Sequence, residues 1–373
     1  QVSAPPARGT AMGLSHGAPT ESAAERFASF GPPLAPPSPW GPASDARWRW
    51  AVDAAAWEPC HGSGGAEFHF LLSLLPIAER PLVMRSPSLR DQKHCLLGRL
   101  LARRACARAL GEASLSNFEI GRTKGQKPFL KQPLPPYLPN FNFNVSHDGR
   151  WVVLASDPLR LVGVDISAPQ RWRGDAEDDK WLEDLSNLLF DKEQAYIARE
   201  ATVRERYSVF QRIWSAKESV TKAVGEGLDF GLGRIEVTLD GVDPSSEWQS
   251  FLGRFSEQHG EQPMTVAPSP YADVSIDMWP RPEWEVRQQL LPDDHWVTVA
   301  MGPVEEAVDA NGEFVGTFRV HQAGAASGGA VQQGPPGAAP FFEVLPVEAL
   351  VPAVDAEAFE ALRRETASMP AFG

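Results

Sequence analysis

Residues 210–228 read FQRIWSAKESVTKAVGEGL, and a helix through them constrains this chain more than any other stretch. At 3.6 residues per turn, Trp214, Glu218 and Lys222 recur at i, i+4 and i+8 and share one face. A carboxylate and an ammonium side by side, next to a large aromatic, can hold a metal ion and a phosphate. The same spacing also builds an ordinary solvated Glu–Lys pair, which stabilises a helix by only ~0.3–0.5 kcal/mol. The rest of the chain decides between the two.

A chain of 373 residues allows two or three units at ~150 residues each. No apolar run approaches the ~18 residues that span a bilayer, so no membrane partner is expected. Cys60, Cys95 and Cys106 are scattered without a CxxC, which speaks against a disulfide framework or a zinc site and for a reducing compartment. A net charge of −13 argues against general nucleic-acid binding. Within that acidic chain, Arg85 to Arg108 carries seven basic residues and one acid, Asp91. Such an island points to a local anionic ligand or partner.

Residues 1–44 are rich in Pro, Ala, Ser and Gly and predict a disordered segment. They contain no cationic start followed by an apolar core, so a cytoplasmic protein is expected, with organelle targeting left open. Trp48, Trp50 and Val52 alternate as in a strand. LRDQKHCLLGRLLARRACARAL is an amphipathic helix with Leu96, Leu97, Leu100, Leu101 and Ala105 as its buried stripe and Gly111 as its cap. FNFNVSHDGRWVVLASD predicts a hairpin turning at Asp148–Gly149. LRLVGVDIS reads as an apolar strand ending near Asp165.

The acidic stretch 171–184 reads as a solvated loop and helix start, not a metal site. Helices are predicted at about 180–200 and 203–226, and strands at RIEVTLD and DHWVTVAM with a Pro-rich stretch between them. Strands interleave with helices through 45–155 and 156–305, which predicts an α+β body of two similar lobes. Residues 306–373 read as low-complexity linker and tail, with a terminal helix.

GEGLDFGLG has GxGxxG-like glycines, but it follows a helix instead of joining a strand to one, so a helix cap and turn fit better than a dinucleotide loop. Neither a P-loop, GxSxG, HExxH nor an EF-hand pattern occurs. In NVSHDG, Ser146 and His147 can hydrogen-bond phosphate oxygens, or they form a polar hairpin turn. Asp165 at a strand end is either a cap or a metal ligand.

Taken in order, FNVSH, VGVDI and WSAKESVTK resemble the signatures of the 4′-phosphopantetheinyl transferases, in particular the larger, single-chain, two-lobe type. The spacings fit as well: 18 residues from His147 to Asp165 and 53 from Asp165 to Glu218. LRDQKHCLLGRLLARR and GRTKGQKPFL are similar to further family blocks, and RWRWAVDAAAW is similar to the subgroup that includes the human-type enzyme of the lysine pathway. The resemblance covers about 45–303. It implies a pseudo-dimeric fold, each lobe a small antiparallel sheet packed on helices, and a monomer in solution.

The implied reaction is Mg²⁺-dependent transfer of 4′-phosphopantetheine from coenzyme A to a serine of an apo acyl or peptidyl carrier protein, with release of 3′,5′-adenosine bisphosphate. By motif match, Asp165 and Glu218 hold Mg²⁺, and Lys222 neutralises the phosphate under attack. Ser146 and His147 bind coenzyme A phosphates, and Lys127 lies near the adenosine or its 3′-phosphate. Arg80, Arg85, Lys93, Arg90 and Arg103 are further candidates for coenzyme A or for an acidic carrier protein. The serine proton is taken by Glu218 or by Glu193. Two departures from the family pattern stand out. Ser167 replaces a second acid found in many bacterial relatives, and GQKP is one residue longer than GKP. A non-catalytic coenzyme A or carrier-binding module is the alternative. Which carrier is modified, whether of fatty-acid, polyketide or peptide synthases or an aminoadipate reductase, stays open.

Overall fold

The computed structural model describes residues 46–169, 180–239, 271–319 and 342–368. Its elements, in chain order, are β1 (Arg49–Asp53), α1 (Ala66–Ser73), α2 (Arg80–Met84), α3 (Leu89–Leu110), β2 (Ile120–Arg122), β3 (Pro128–Leu130), β4 (Asn142–Asp148), β5 (Trp151–Asp157), β6 (Leu161–Ser167), α4 (Lys180–Leu185), α5 (Asp191–Ala198), α6 (Val203–Val224), β7 (Ile235–Leu239), β8 (Tyr271–Ile276), β9 (Trp279–Pro280), β10 (Glu285–Leu291), β11 (His295–Gly302), β12 (Glu343–Val344) and α7 (Ala356–Ser368). This is a mixed α+β fold with two main sheets. One runs β12-β1-β5-β4; the other runs β6-β11-β10-β8-β7, with β9 paired to β8. None of the described helices is long and apolar enough to cross a membrane.

Each main sheet carries one long helix with local signals at both ends. In α3 the Ser88 hydroxyl caps the Asp91 amide, Asp91 and Arg108 sit at the ends that suit the helix dipole, and Gly111 closes the helix at φ 73°. The expected stripe from Leu96 to Ala105 is buried, and the Arg104 and Arg108 guanidinium groups lie over the rings of Trp50 and Trp48. In α6, Thr202 and Glu205 form a reciprocal capping box, and Gly225 ends the helix at φ 89°. GEGLDFGLG is thus a helix cap followed by short 3₁₀ turns.

The two sheets meet edge to edge through side chains. β4 and β6 are both edge strands, whose amides need partners. On one face of β4, alternate residues supply them. Asn142 Oδ1 accepts from the Val162 amide (2.9 Å), Asn144 Oδ1 from the Val164 amide (3.1 Å) and Asp148 Oδ2 from the Ala168 amide (2.8 Å), while Ser146 reaches Asp165. The polar half of FNFNVSHD therefore joins the sheets, and its aromatic half (Phe141, Phe143) fills the first core.

Several sequence expectations change. The hairpin turns at Gly149–Arg150, with Asp148 still paired to Trp151. The Pro-rich stretch conceals β8 and β10, which complete the second sheet. Residues 342–368 are not a tail. β12 adds to β1 in parallel, and Phe359 of α7 packs on Phe70 of α1 with ring centroids 5.1 Å apart. The expectations for 1–44 and for most of the acidic stretch lie outside the described residues.

Candidate functional site

α6 crosses β6 at backbone contact. A Cβ placed on Gly163 would lie 1.9 Å from the Ser219 carbonyl oxygen and 2.4 Å from the Ala223 amide nitrogen. Only a glycine in VGVDI permits that approach, and it lays Glu218 and Lys222 over Asp165 two residues on. Lys222 Nζ donates to Asp165 Oδ1 (2.5 Å) and to Ser146 Oγ (2.9 Å), and the Ser146 hydroxyl donates to the same carboxylate oxygen (3.0 Å). Asp165 is 6% exposed. Burial raises the Glu218 carboxyl above the usual carboxylate range, and the nearby Asp165 charge raises it further, against the pull of Lys222. A carboxyl whose charged form is opposed by a neighbouring carboxylate fits a site built for a cation.

The described residues hold no group of three or more His, Cys, Asp or Glu side chains arranged for a metal. Glu218 and Asp165 Oδ2 have no protein partner among the described residues. Two carboxylates completed by substrate phosphates and water suit Mg²⁺, which uses few protein ligands.

Beside this cluster lies a cavity of about 360 Å³, bounded by α3, the β2–β3 hairpin, β4 and the end of α6. Arg99, Arg122, Lys127, Lys222, His94 and His147 line it, against a single acid, Glu79. Burial and the charge of Arg99 both lower Arg122. His94 is lowered to about 4 by burial and by His147, whose ring centroid lies 5.0 Å away. Partial loss of water and the charge of Lys222 lower His147 as well. With both histidines pushed toward their neutral form, Arg99, Arg122 and Lys222 carry the positive charge of this pocket against Glu79, which still suits a polyanion.

Several sequence candidates face elsewhere. Lys127 borders the cavity, but its ammonium donates to the carbonyls of Val162 (2.6 Å) and Lys222 (3.2 Å), and burial lowers it to about 7. Glu193 is fully buried, with its oxygens taken by Lys217 (2.7 Å) and the amides of Phe190 and Val237. Arg80 donates to the carbonyls of Leu75 and Ser73, and Arg103 is buried on Glu79 and the Leu115 carbonyl. Lys93 pairs with Glu58 at 3.2 Å, and Arg85 is exposed. Trp214 packs on Phe210 within the second core. The sequence reading did not single out His94, Arg99 or Arg122. For Arg122 the signal was present, since it stands inside GRTKGQKPFL; for Arg99 it was blurred by six other cations in the same island.

Comparison with known proteins gives a consistent picture. A family model described as 4′-phosphopantetheinyl transferase, N-terminal, matches residues 55–159, and one for the 4′-phosphopantetheinyl transferase superfamily matches 161–267. The chain is 33% identical to a phosphopantetheinyl transferase of Thraustochytrium sp., over 63% of this chain and 82% of that protein. It is 30% identical to the L-aminoadipate-semialdehyde dehydrogenase-phosphopantetheinyl transferase of Xenopus laevis, over 69% and 76%. It is 29% identical to a 4′-phosphopantetheinyl transferase of Bacillus subtilis, over 40% and 59%.

Proposed function

The chain belongs to the 4′-phosphopantetheinyl transferase superfamily and is a transferase of that kind; on that premise we propose that it moves 4′-phosphopantetheine from coenzyme A to a serine of an apo carrier protein, releasing 3′,5′-adenosine bisphosphate. The observation that carries this reading is the meeting of Asp165, Glu218 and Lys222 at the wall of a basic cavity. Coenzyme A brings about four negative charges near neutrality. Arg99 and Arg122 would take its nucleotide end, and Lys222 and His147 the pyrophosphate. Asp165 and Glu218 would hold Mg²⁺, which when bound offsets pyrophosphate charge. Ser146 fixes Lys222 and Asp165 relative to one another.

In the transfer, the serine Oγ–P bond forms as the P–O bond to the adenosine bisphosphate breaks, and Glu218 takes the serine proton directly or through one water. Glu193, enclosed with Lys217, is not placed to do so. We read the two sheet-and-helix halves as lobes of a pseudo-dimer acting as a monomer in the cytoplasm, with 45–155 and 156–305 as their extents. Similarity to the aminoadipate-type enzymes makes a reductase carrier domain one acceptor to try, beside acyl carrier proteins.

The test incubates the protein with coenzyme A, Mg²⁺ and a panel of apo carriers, and reads intact mass. A gain of one phosphopantetheine is expected, lost in Asp165→Ala and Glu218→Ala, which should keep the wild-type circular dichroism. Near-normal transfer by either variant would refute the assignment.

A further inference from the structure

Ser146 and His147 are neighbours on β4 and face opposite ways. Ser146 turns to the reactive cluster, while His147 continues the row of Phe143 and Val145 on the other face, towards α3. The helix meets that row closely because Gly98 has no side chain: a Cβ there would lie 3.3 Å from Val145 Cγ1. His94 stands one turn before Gly98 on the same face of α3. It therefore comes to rest on His147, with ring centroids 5.0 Å apart and planes 34° from parallel.

The two rings differ in what holds them. His147 is exposed at the wall of the basic cavity, and its imidazole makes no hydrogen bond among the described residues. The torsion that turns such a ring has a broad preference of its own, so packing has to choose its plane. His94 is only 4% exposed and is seated in the middle of a long helix. It borders the basic cavity and also the neighbouring cavity of about 310 Å³, so it forms part of the wall between them. Burial and the charge of His147 hold it to about 4, so at neutral pH it offers a ring face and no charge. The charges around the pair are Lys222 on α6, Asp148 on β4, and Arg90 and Asp91 on α3.

We infer that His94 is a positioning residue for the coenzyme: it backs the ring of His147 and fixes the plane in which that imidazole meets a coenzyme A phosphate. The inference rests on the transferase reading above, which brings coenzyme A to His147. His94 touches no reacting atom in this arrangement and acts only through its neighbour.

The test measures coenzyme A affinity by calorimetry and, separately, steady-state transfer to an apo acyl carrier protein. His94→Ala should weaken coenzyme A binding by roughly five- to tenfold, the worth of one aromatic ring contact, with the carrier KM unchanged within about twofold. His94→Phe keeps a flat ring and should bind within about twofold of the wild type. A general loosening of α3 would act whether or not His147 is present, so the decisive comparison is made in a His147→Ala background. There His94→Ala should add less than about twofold, because the ring through which it acts is already gone. Losses that multiply in the double variant would overturn the inference. A His94→Phe protein as weak as His94→Ala would also overturn it, by giving the role to an imidazole nitrogen instead of the ring face. A wild type that binds coenzyme A yet modifies no carrier would sink the transferase reading alone, since the binding comparison is read without a carrier.

Discussion

The close crossing of α6 over Gly163 is open to a single-methyl test. Gly163→Ala places a Cβ 1.9 Å from the Ser219 carbonyl, where real contacts stay above 3.0 Å. Helix and strand must separate by ~1.1 Å or more, because a packed interior has no slack to absorb the overlap. Overpacking of this kind costs about 1–3 kcal/mol, a fraction of a typical stability of ~5–15 kcal/mol, so the variant should remain folded at 25 °C. Function should suffer more than stability. Glu218 and Lys222 ride on the displaced helix and Asp165 on the strand, and a misplacement of ~1 Å costs on the order of 100-fold in rate. Urea unfolding gives the first number and kcat for carrier modification the second. Gly233→Ala, whose added methyl meets nothing within 4 Å, is the control. A Gly163→Ala protein with wild-type kcat would show that the cluster does not depend on this crossing.

Glu193→Gln leaves Lys217 charged in a fully buried position and should destabilise the protein by about 3–5 kcal/mol, while kcat per folded molecule changes little. A stable variant with a 100-fold loss of kcat would restore Glu193 as the proton acceptor. Lys127, lowered to about 7 from an ordinary value of 10.5, binds fewer protons folded than unfolded in that window, so it makes stability rise with pH from about 7 towards 10.5. Lys127→Met should remove this part of the rise, read in denaturant titrations as wild-type stability gaining on the variant's between about pH 7 and 10.5. A difference independent of pH would mean that the ammonium stays charged in the fold.

Much of the site could be read from short stretches. The order of FNVSH, VGVDI and WSAKESVTK, and the shared face of Glu218 and Lys222, already brought together the groups that meet at Asp165. The basic island was visible too, but not the fate of each cation within it. Arg103 and Arg104 are adjacent in sequence, yet one is buried on Glu79 and the Leu115 carbonyl while the other lies over Trp50. β8 and β10 escaped notice because prolines at 280 and 282 interrupt the alternation between them, and their neighbours in the sheet supply what local pattern does not.

The chain by itself determines the two long helices, their caps, the polar alternation along β4 and the residue types able to grip a charged diphosphate. These depend on periodicity and on hydrogen bonds spanning a few residues, which local spacing encodes. Tertiary structure alone decided that a glycine brings Lys222 onto Asp165, that two sheets join through Asn142, Asn144, Ser146 and Asp148, and that residues 342–368 return to the first sheet. It also decided that Lys127 and Glu193 are enclosed while Arg90 stands open. Those outcomes are set by contacts between distant segments, where burial and pairing depend on what the rest of the chain packs beside each charge.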